Sequence, residues 1–419
     1  MADTMTTLAP LFDRARLARV ADALAVAVVA SLPWSTTATG VLNVLWLCAL
    51  VPTLDMAALR REVMTPAGGL PVLFWLLGVI GMLWADVSLH ERLGGLGSFH
   101  KMLAIPLLLA QFRRSGNGRW ILIGFLASCS VLLAVSYVHA MAWSRIPGLP
   151  GYFAGVPFKD YIAQSGEFQI CVFGLAYVAA EAWRARQFGS ALAFVLLACA
   201  FLANIIYIGT GRTALVVMPV LLVLFGWRQL GWKGVLGAAI AGVAVAAIFW
   251  QSSPYLRARV MALGQEIYYY ESQNASTSAG ARLEFWKKSL RFVADAPVLG
   301  HGTGSIEQQF RASLGSEGPS AIMSNNPHQQ TLTVAIQLGL VGVAVLFAMW
   351  IAHLTLFGGA GLVAWVGLVA VVQNIVASLF NSHLFDFTQG WMYVFGVGAL
   401  GGAVLGKLPM VAAAQDRTK

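Results

Sequence analysis

Runs of about 20 apolar residues recur along the whole of this chain, and that recurrence constrains its fold more than any other feature. A bilayer core takes about 20 apolar residues of helix per crossing. Backbone amides and carbonyls in lipid must be satisfied inside the protein, so a spanning chain forms helices or a closed barrel. The runs are continuous rather than alternating, and they read as helices. Composition agrees. Over 419 residues, 58% are hydrophobic and 11% charged, where a soluble domain carries about 25% charged residues. The expected fold is all-α, a polytopic integral membrane protein.

About twelve spans are expected, near 17–34, 36–54, 69–85, 99–112, 119–141, 166–183, 188–208, 212–227, 232–250, 330–353, 360–380 and 389–407. The fourth is short and contains Pro106. This divides the chain into nine spans over 1–250, a large loop over 251–329, and three spans with a tail over 330–419. "RARLAR" ahead of "VADALAVAVVASLPW" reads as the positive flank of a retained first helix. No internal repeat stands out.

Orientation follows from the basic residues, because cytoplasmic connections collect Lys and Arg. With a cytoplasmic N-terminus, the inner segments hold Arg14, Arg16, Arg19, Arg60, Arg61, Arg113, Arg114, Arg119, Arg184, Arg186, Arg228, Lys233, Lys407, Arg417 and Lys419. The short outer connections hold Arg92, Lys101, Arg145, Lys159 and Arg212, and the large outer loop holds the other seven basic residues. The net charge of +9 is then mostly a topology signal, and nucleic acid is not an expected partner. The cysteines (Cys48, Cys129, Cys171 and Cys199) fall inside apolar runs and suggest neither a disulfide framework nor a metal site.

The outer face carries the elaboration. Residues 142–165 form a loop rich in Gly, Pro and aromatics. Within the large loop, "ARLEFWKKSLRFVADAP" predicts an amphipathic helix with Leu283, Trp286, Leu290 and Val293 on its apolar face. Trp and Phe opposite lysines suit a helix at headgroup level. "VLGHGTGS" over 298–305 then reads as a glycine-rich turn.

Four residues are candidates for chemistry. Arg212 follows a Gly-Thr-Gly break between two apolar runs. An arginine at membrane depth is costly and marks function by default, although a helix-end arginine also snorkels to the interface. Arg282 opens the amphipathic segment, and its guanidinium fork suits phosphate oxygens; taken singly it also reads as a headgroup-facing charge. His328 stands in "SNNPHQQTL", between an Asn-Pro turn and a membrane helix. A neutral imidazole takes a proton from a hydroxyl, and a loop-pinning histidine is the alternative. Asp386, in "NSHLFDFTQGW" beside His383, reads either as an acid that orients a base or binds sugar hydroxyls, or as a loop charge. D-x-D, H-E-x-x-H, C-x-x-C and P-loop patterns are absent, so no metal, nucleotide or other cofactor is expected. "NAS" at 274–276 matches a glycosylation sequon.

Taken in order, these elements resemble the O-antigen ligase and polymerase superfamily. They are about twelve spans, a Thr-Gly-Arg break, a large late outer loop, "R-x-x-x-W" before "P-V-L-G-H-G-T-G-S", and "N-N-P-H-x-x-x-L". The resemblance is carried by the C-terminal half; the N-terminal half matches in hydropathy alone. It implies a membrane glycosyltransferase of the GT-C class, working on the periplasmic face of the bacterial inner membrane. The implied donor is a glycan on undecaprenyl pyrophosphate and the implied acceptor is a lipid A–core sugar. The family's roles carry over to His328 as base, Arg212 and Arg282 as pyrophosphate ligands, and Asp386 as the supporting acid. The pattern departs modestly from the common one, with Gln329 after the histidine and Thr-Gly before Arg212. The implied reaction is inverting and needs no ATP.

Rival readings are an O-antigen polymerase, a protein O-glycan ligase, and, in another class, a transporter or flippase for lipid-linked sugars. Transporters often carry broken helices in both halves, whereas here the polar elaboration lies on one face and in one half. Glycan identity and acceptor sugar are not written in these motifs.

Overall fold

A computed structural model describes residues 13–146, 148–151, 153–209, 211–273, 277–314 and 324–416. Thr210 of the Thr-Gly-Arg break, the sequon at 274–276, Arg417 and Lys419 lie outside the described residues. The helices, in chain order, are α1 (Arg14–Ser31), α2 (Thr36–Leu50), α3 (Met56–Val63), α4 (Pro66–Gly81), α5 (Leu89–Gly97) and α6 (Ala104–Ser115). Next come α7 (Gly118–Ala142), α8 (Tyr161–Arg184), α9 (Phe188–Tyr207), α10 (Arg212–Leu230) and α11 (Trp232–Ser252). The large loop contributes α12 (Pro254–Gln273), α13 (Ser278–Asp295) and α14 (Ile306–Leu314), and α15 (Gln330–Leu356), α16 (Leu362–Ala377) and α17 (Phe387–Asp416) complete the chain. Side chains at Asp13, Ser35, Thr65, Ser88, Asp160 and Thr277 accept from free first-turn amides, the role small polar residues fill at helix starts.

Helix occupies all twelve predicted stretches, but fewer of them meet the requirement for crossing a bilayer. Among the described residues six helices are long and apolar enough on their own: Thr36–Thr53, Gly118–Ala142, Phe188–Tyr207, Arg212–Leu230, Trp232–Ser252 and Gln330–Leu356. Two pairs qualify as broken spans, Met56–Val63 with Pro66–Gly81, bent by 83°, and Leu89–Gly97 with His100–Ser115, bent by 46°. The count by length and composition is thus six to eight, below the twelve expected. Three of the other four stretches fall short for local reasons. Helix α1 begins with Arg14, Arg16 and Arg19, α8 buries Gln164, Glu167 and Gln169, and α16 is short at 16 residues.

Polar connections sort to the two ends of the bundle. At one end Arg113 pairs with Glu62, Arg114 donates to the Thr53 carbonyl, and Arg228 donates to the Gly358 and Gly359 carbonyls. At the other, Lys101 donates to the Phe385 and Asp386 carbonyls, Lys159 to Thr388, and Thr303 to the Gly78 carbonyl. All but the last of these bonds join connections that the basic-residue distribution assigns to the same side. Between the ends lies an apolar interior with Trp46, Phe74, Phe168, Phe201, Trp365 and Tyr393 fully buried. Helix α11 sits at the margin and leaves Leu236, Ile240, Val243 and Ile248 exposed, as a lipid-facing helix does.

Helix α13 forms where predicted, but the stripe it buries is shifted; Val293 of the expected stripe packs against the buried cluster. Phe285 and Phe292 pack with Ile306, Phe310 and Ile336, whereas Leu290 is 61% exposed. The reason is tertiary: α14 and α15 offer an apolar surface to the Phe285–Phe292 face, and Trp286 sits at its rim. The glycine-rich turn docks on a break in α15. Gly339 leaves the helical region with φ +60° and ψ −159°. His301 N and Gly302 N take the Ile336 and Gln337 carbonyls at 2.8 and 2.9 Å. Gly302 itself has φ +91°, and a β-carbon there would strike Ala85, so only glycine fits.

Candidate active site

His328 lies two residues before α15, with φ +54°. Left-handed backbone is unfavourable for a residue with a β-carbon, and local bonds hold it there. His328 N donates to Asn326 Oδ1 at 2.8 Å, and Ser382 Oγ donates to the same oxygen at 2.7 Å. From the other side, Trp286 Nε1 of α13 donates to the Pro327 carbonyl at 3.1 Å. The turn is thus clamped between the loop helix and the connection that follows α16.

That connection supplies the partners of the imidazole. His328 Nδ1 lies 2.9 Å from Asn381 Oδ1, and Asn381 Nδ2 donates to Asp386 Oδ2 at 3.0 Å. His383 Nδ1 is 3.2 Å from the same Asp386 oxygen. Lys101 anchors the segment by donating to the Phe385 and Asp386 carbonyls at 2.8 and 2.7 Å. The structure therefore brings His328 and Asp386 together through Asn381.

The two arginines meet on the neighbouring side. Gly211, one residue before Arg212, packs against Ser165 and Ile162 of α8 with no room for a β-carbon. This sets the first turn of α10 against α8. Arg212 pairs with Glu266 of α12 through both terminal nitrogens; Nη1 lies 3.1 Å from Oε2, and Nη2 contacts Oε1. Glu266 Oε2 also accepts from Ala279 N in the first turn of α13, at 3.0 Å. Burial pushes the pKa of the Arg282 guanidinium down, and the positive charge of Arg212 pushes it further, while Tyr161 and Glu266 oppose both. Arg212, Arg282, Tyr161 and Glu266 thus share one electrostatic neighbourhood.

Helix α13 joins the two halves. Arg282 and Phe285 are three residues apart on it, a spacing that puts their β-carbons about 5–6 Å apart. Phe285 stacks on the His328 ring with centroids 6.1 Å apart and planes at 26°. A cation, an apolar plate and an imidazole therefore follow one another across one surface.

Two polar cavities flank Asp386. One, of about 430 Å³, is bounded by α5, the 304–307 corner and the 325–326 turn, with Glu91, Asn326 and Ser382 in its wall. The other, of about 560 Å³, lies between Trp34, Phe158, Lys159, Asn381 and Thr388. Asp386 lines both. Their volumes fall in the range of ligand pockets, about 300–1,000 Å³. Lys159 is fixed by Thr388 Oγ1 at 2.9 Å and by the Leu32 carbonyl. Burial lowers its amine pKa, and Glu167 and Asp160 oppose that shift. Among the described residues no three His, Cys, Asp or Glu side chains gather as a metal-binding set.

Asn381, Glu266, Lys101 and Lys159 did not stand out in the sequence. Glu266 is one of many scattered outer carboxylates, and Asn381 opens the "NSHLFDFTQGW" stretch in which Asp386 is the residue that draws notice. Only proximity identifies them.

Comparison with known proteins points the same way as the motifs. Residues 192–347 match a family described as O-antigen ligase, a segment that contains Arg212, Arg282 and His328 but not Asn381 or Asp386. A protein of Haemophilus influenzae described as uncharacterized is 30% identical over 82 residues, 19% of this chain. The alignment spans 21% of that relative's length. With its apolar helices the chain is a membrane protein, and its residues 192–347 are similar to the O-antigen ligase family.

Proposed function

From the O-antigen ligase match over residues 192–347, we propose that this protein transfers an O-antigen glycan from undecaprenyl pyrophosphate to lipid A–core at the periplasmic face of the inner membrane. The observation that carries the reading is the arrangement along α13. It puts Arg282, which shares an electrostatic neighbourhood with Arg212, one turn from Phe285, whose ring stacks on His328, and His328 is tied through Asn381 to Asp386.

In this reading the diphosphate lies against Arg212 and Arg282. Guanidinium forks hold paired phosphate oxygens better than point charges do. His328 takes the proton of the acceptor hydroxyl. That oxygen attacks the anomeric carbon, the bond from that carbon to the phosphate oxygen breaks, and the electron pair leaves with the diphosphate. Charge growing on the leaving group is stabilised by preorganised cations. Attack opposite the leaving group inverts the anomeric centre. The cavities on either side of Asp386 receive the two glycan ends, while the lipid tails stay in the bilayer. The reading includes all twelve helical stretches as membrane segments of a GT-C arrangement, with the 251–329 loop as a periplasmic unit between residues 1–250 and 330–419.

The test is the lipopolysaccharide pattern of a strain lacking the gene. Loss of the whole ladder, with polymer retained on the lipid carrier, supports the ligase. Core bearing a single repeat identifies a polymerase. Loss of the ladder with the donor trapped on the cytoplasmic side identifies a transporter.

A further inference from the structure

We infer that Asn381 is a positioning residue that decides which nitrogen of His328 acts as the base. The inference rests on the reading of His328 as a base and assigns it a tautomer. A side-chain amide has one accepting oxygen and two N–H donors. Asp386 as a carboxylate only accepts, so its contact with Asn381 at 3.0 Å must use the amide nitrogen. The amide oxygen then faces His328 Nδ1 at 2.9 Å. An oxygen that only accepts requires the proton to sit on Nδ1. The lone pair is left on Nε2, the nitrogen free to meet the acceptor hydroxyl. The logic is that of an acid orienting a histidine, with an amide inserted between them.

The inserted amide has a chemical consequence. A carboxylate in direct contact raises an imidazole's proton affinity, whereas a neutral amide orients the ring with less effect on it. The backbone supports the geometry independently. The left-handed φ of His328, the Asn326 bond to its amide and the Phe285 stack fix the ring's plane before any substrate arrives. Asp386 and His383 share the connection with Asn381, Lys101 donates to the Phe385 and Asp386 carbonyls, and Arg282 lies one turn before Phe285 on α13.

Two measurements test this on the full-length protein in lipid nanodiscs. The first is the nitrogen-15 spectrum of His328, which reports its tautomer without any turnover. The native ring is expected to carry its proton on Nδ1, and Asn381→Leu is expected to abolish that preference. A native ring protonated on Nε2 overturns the inference, as does an Nδ1 preference that survives in Asn381→Leu. The second is transfer from lipid-linked donor to lipid A–core. Asn381→Leu should lower kcat about 10²-fold or more, the range of general-base contributions, with both KM values within a few-fold of native. Asn381→Asp alone sets two carboxylates together. Adding Asp386→Asn restores one donor and one acceptor in swapped order. The double replacement should exceed Asn381→Asp alone at least tenfold. It should also need a higher pH for half-maximal rate, because a carboxylate now touches the imidazole. Parental kcat in Asn381→Leu, or no rescue in the double replacement, overturns the inference. Absence of transfer by the native protein would instead count against the ligase reading, and the nitrogen-15 result would still decide the tautomer.

Discussion

Arg212 and Glu266 meet end-on, both terminal guanidinium nitrogens against both carboxylate oxygens. They are 54 residues apart in sequence. The same carboxylate holds the first turn of α13 through Ala279 N. Glu266 is therefore both the counter-ion of one proposed diphosphate ligand and the tether of the helix that carries the other.

Those two roles separate by substitution. Glu266→Gln removes the charge a diphosphate must compete with, but keeps an oxygen for Ala279 N. It should lower the donor KM about threefold to tenfold, the larger value corresponding to about 1.4 kcal/mol. Glu266→Ala should lose transfer because α13 is released. A donor titration of both variants checks this; a raised donor KM in Glu266→Gln would show that the carboxylate holds the fork open for the donor.

Arg212→Ala and Arg282→Ala should each lower transfer at least 10²-fold while the protein stays in the membrane. The Lys variants should recover little, since an ammonium cannot reproduce the planar fork. Full activity in both Lys variants, measured with purified donor and acceptor, would remove the diphosphate clamp from the mechanism.

His328→Gln keeps hydrogen bonding and loses basicity. Its kcat should fall about 10²–10⁴-fold with donor affinity retained. Native activity should fall as the medium is made acidic, because only neutral imidazole accepts a proton. Asp386→Asn, which acts through Asn381, should be milder, about tenfold. Parental turnover in His328→Gln would make the histidine a loop pin.

Transfer should proceed in EDTA and without added nucleotide, because the proposed charge stabilisation comes from arginines and the diphosphate is already a leaving group. A strict dependence on added Mg²⁺ would contradict an arginine-only site.

The alternation of basic residues predicts a periplasmic 251–329 loop and a cytoplasmic C-terminus. Fusion reporters after the last residue and within the loop read this directly. Periplasmic activity of the C-terminal fusion would reverse the topology.

The sequence by itself determined the helical stretches and the segregation of polar connections. Hydropathy and basic bias are properties of contiguous residues and need no partner. It also marked Arg212, Arg282, His328 and Asp386, because each is a costly or chemically specific residue in its local setting. Tertiary structure decided how they relate. His328 reaches Asn381 across 53 residues of sequence, and no local pattern encodes that meeting. The buried face of α13 is shifted from the expected one for the same reason, with Val293 common to both. Periodicity allows two adjacent faces to pack, and only the positions of Phe310 and Ile336 choose Phe285 and Phe292. The lower count of unaided membrane helices has a physical cause too. Helices such as α8 are enclosed by other helices, so they carry the buried amides and acids that a lipid-facing helix would expose at high cost.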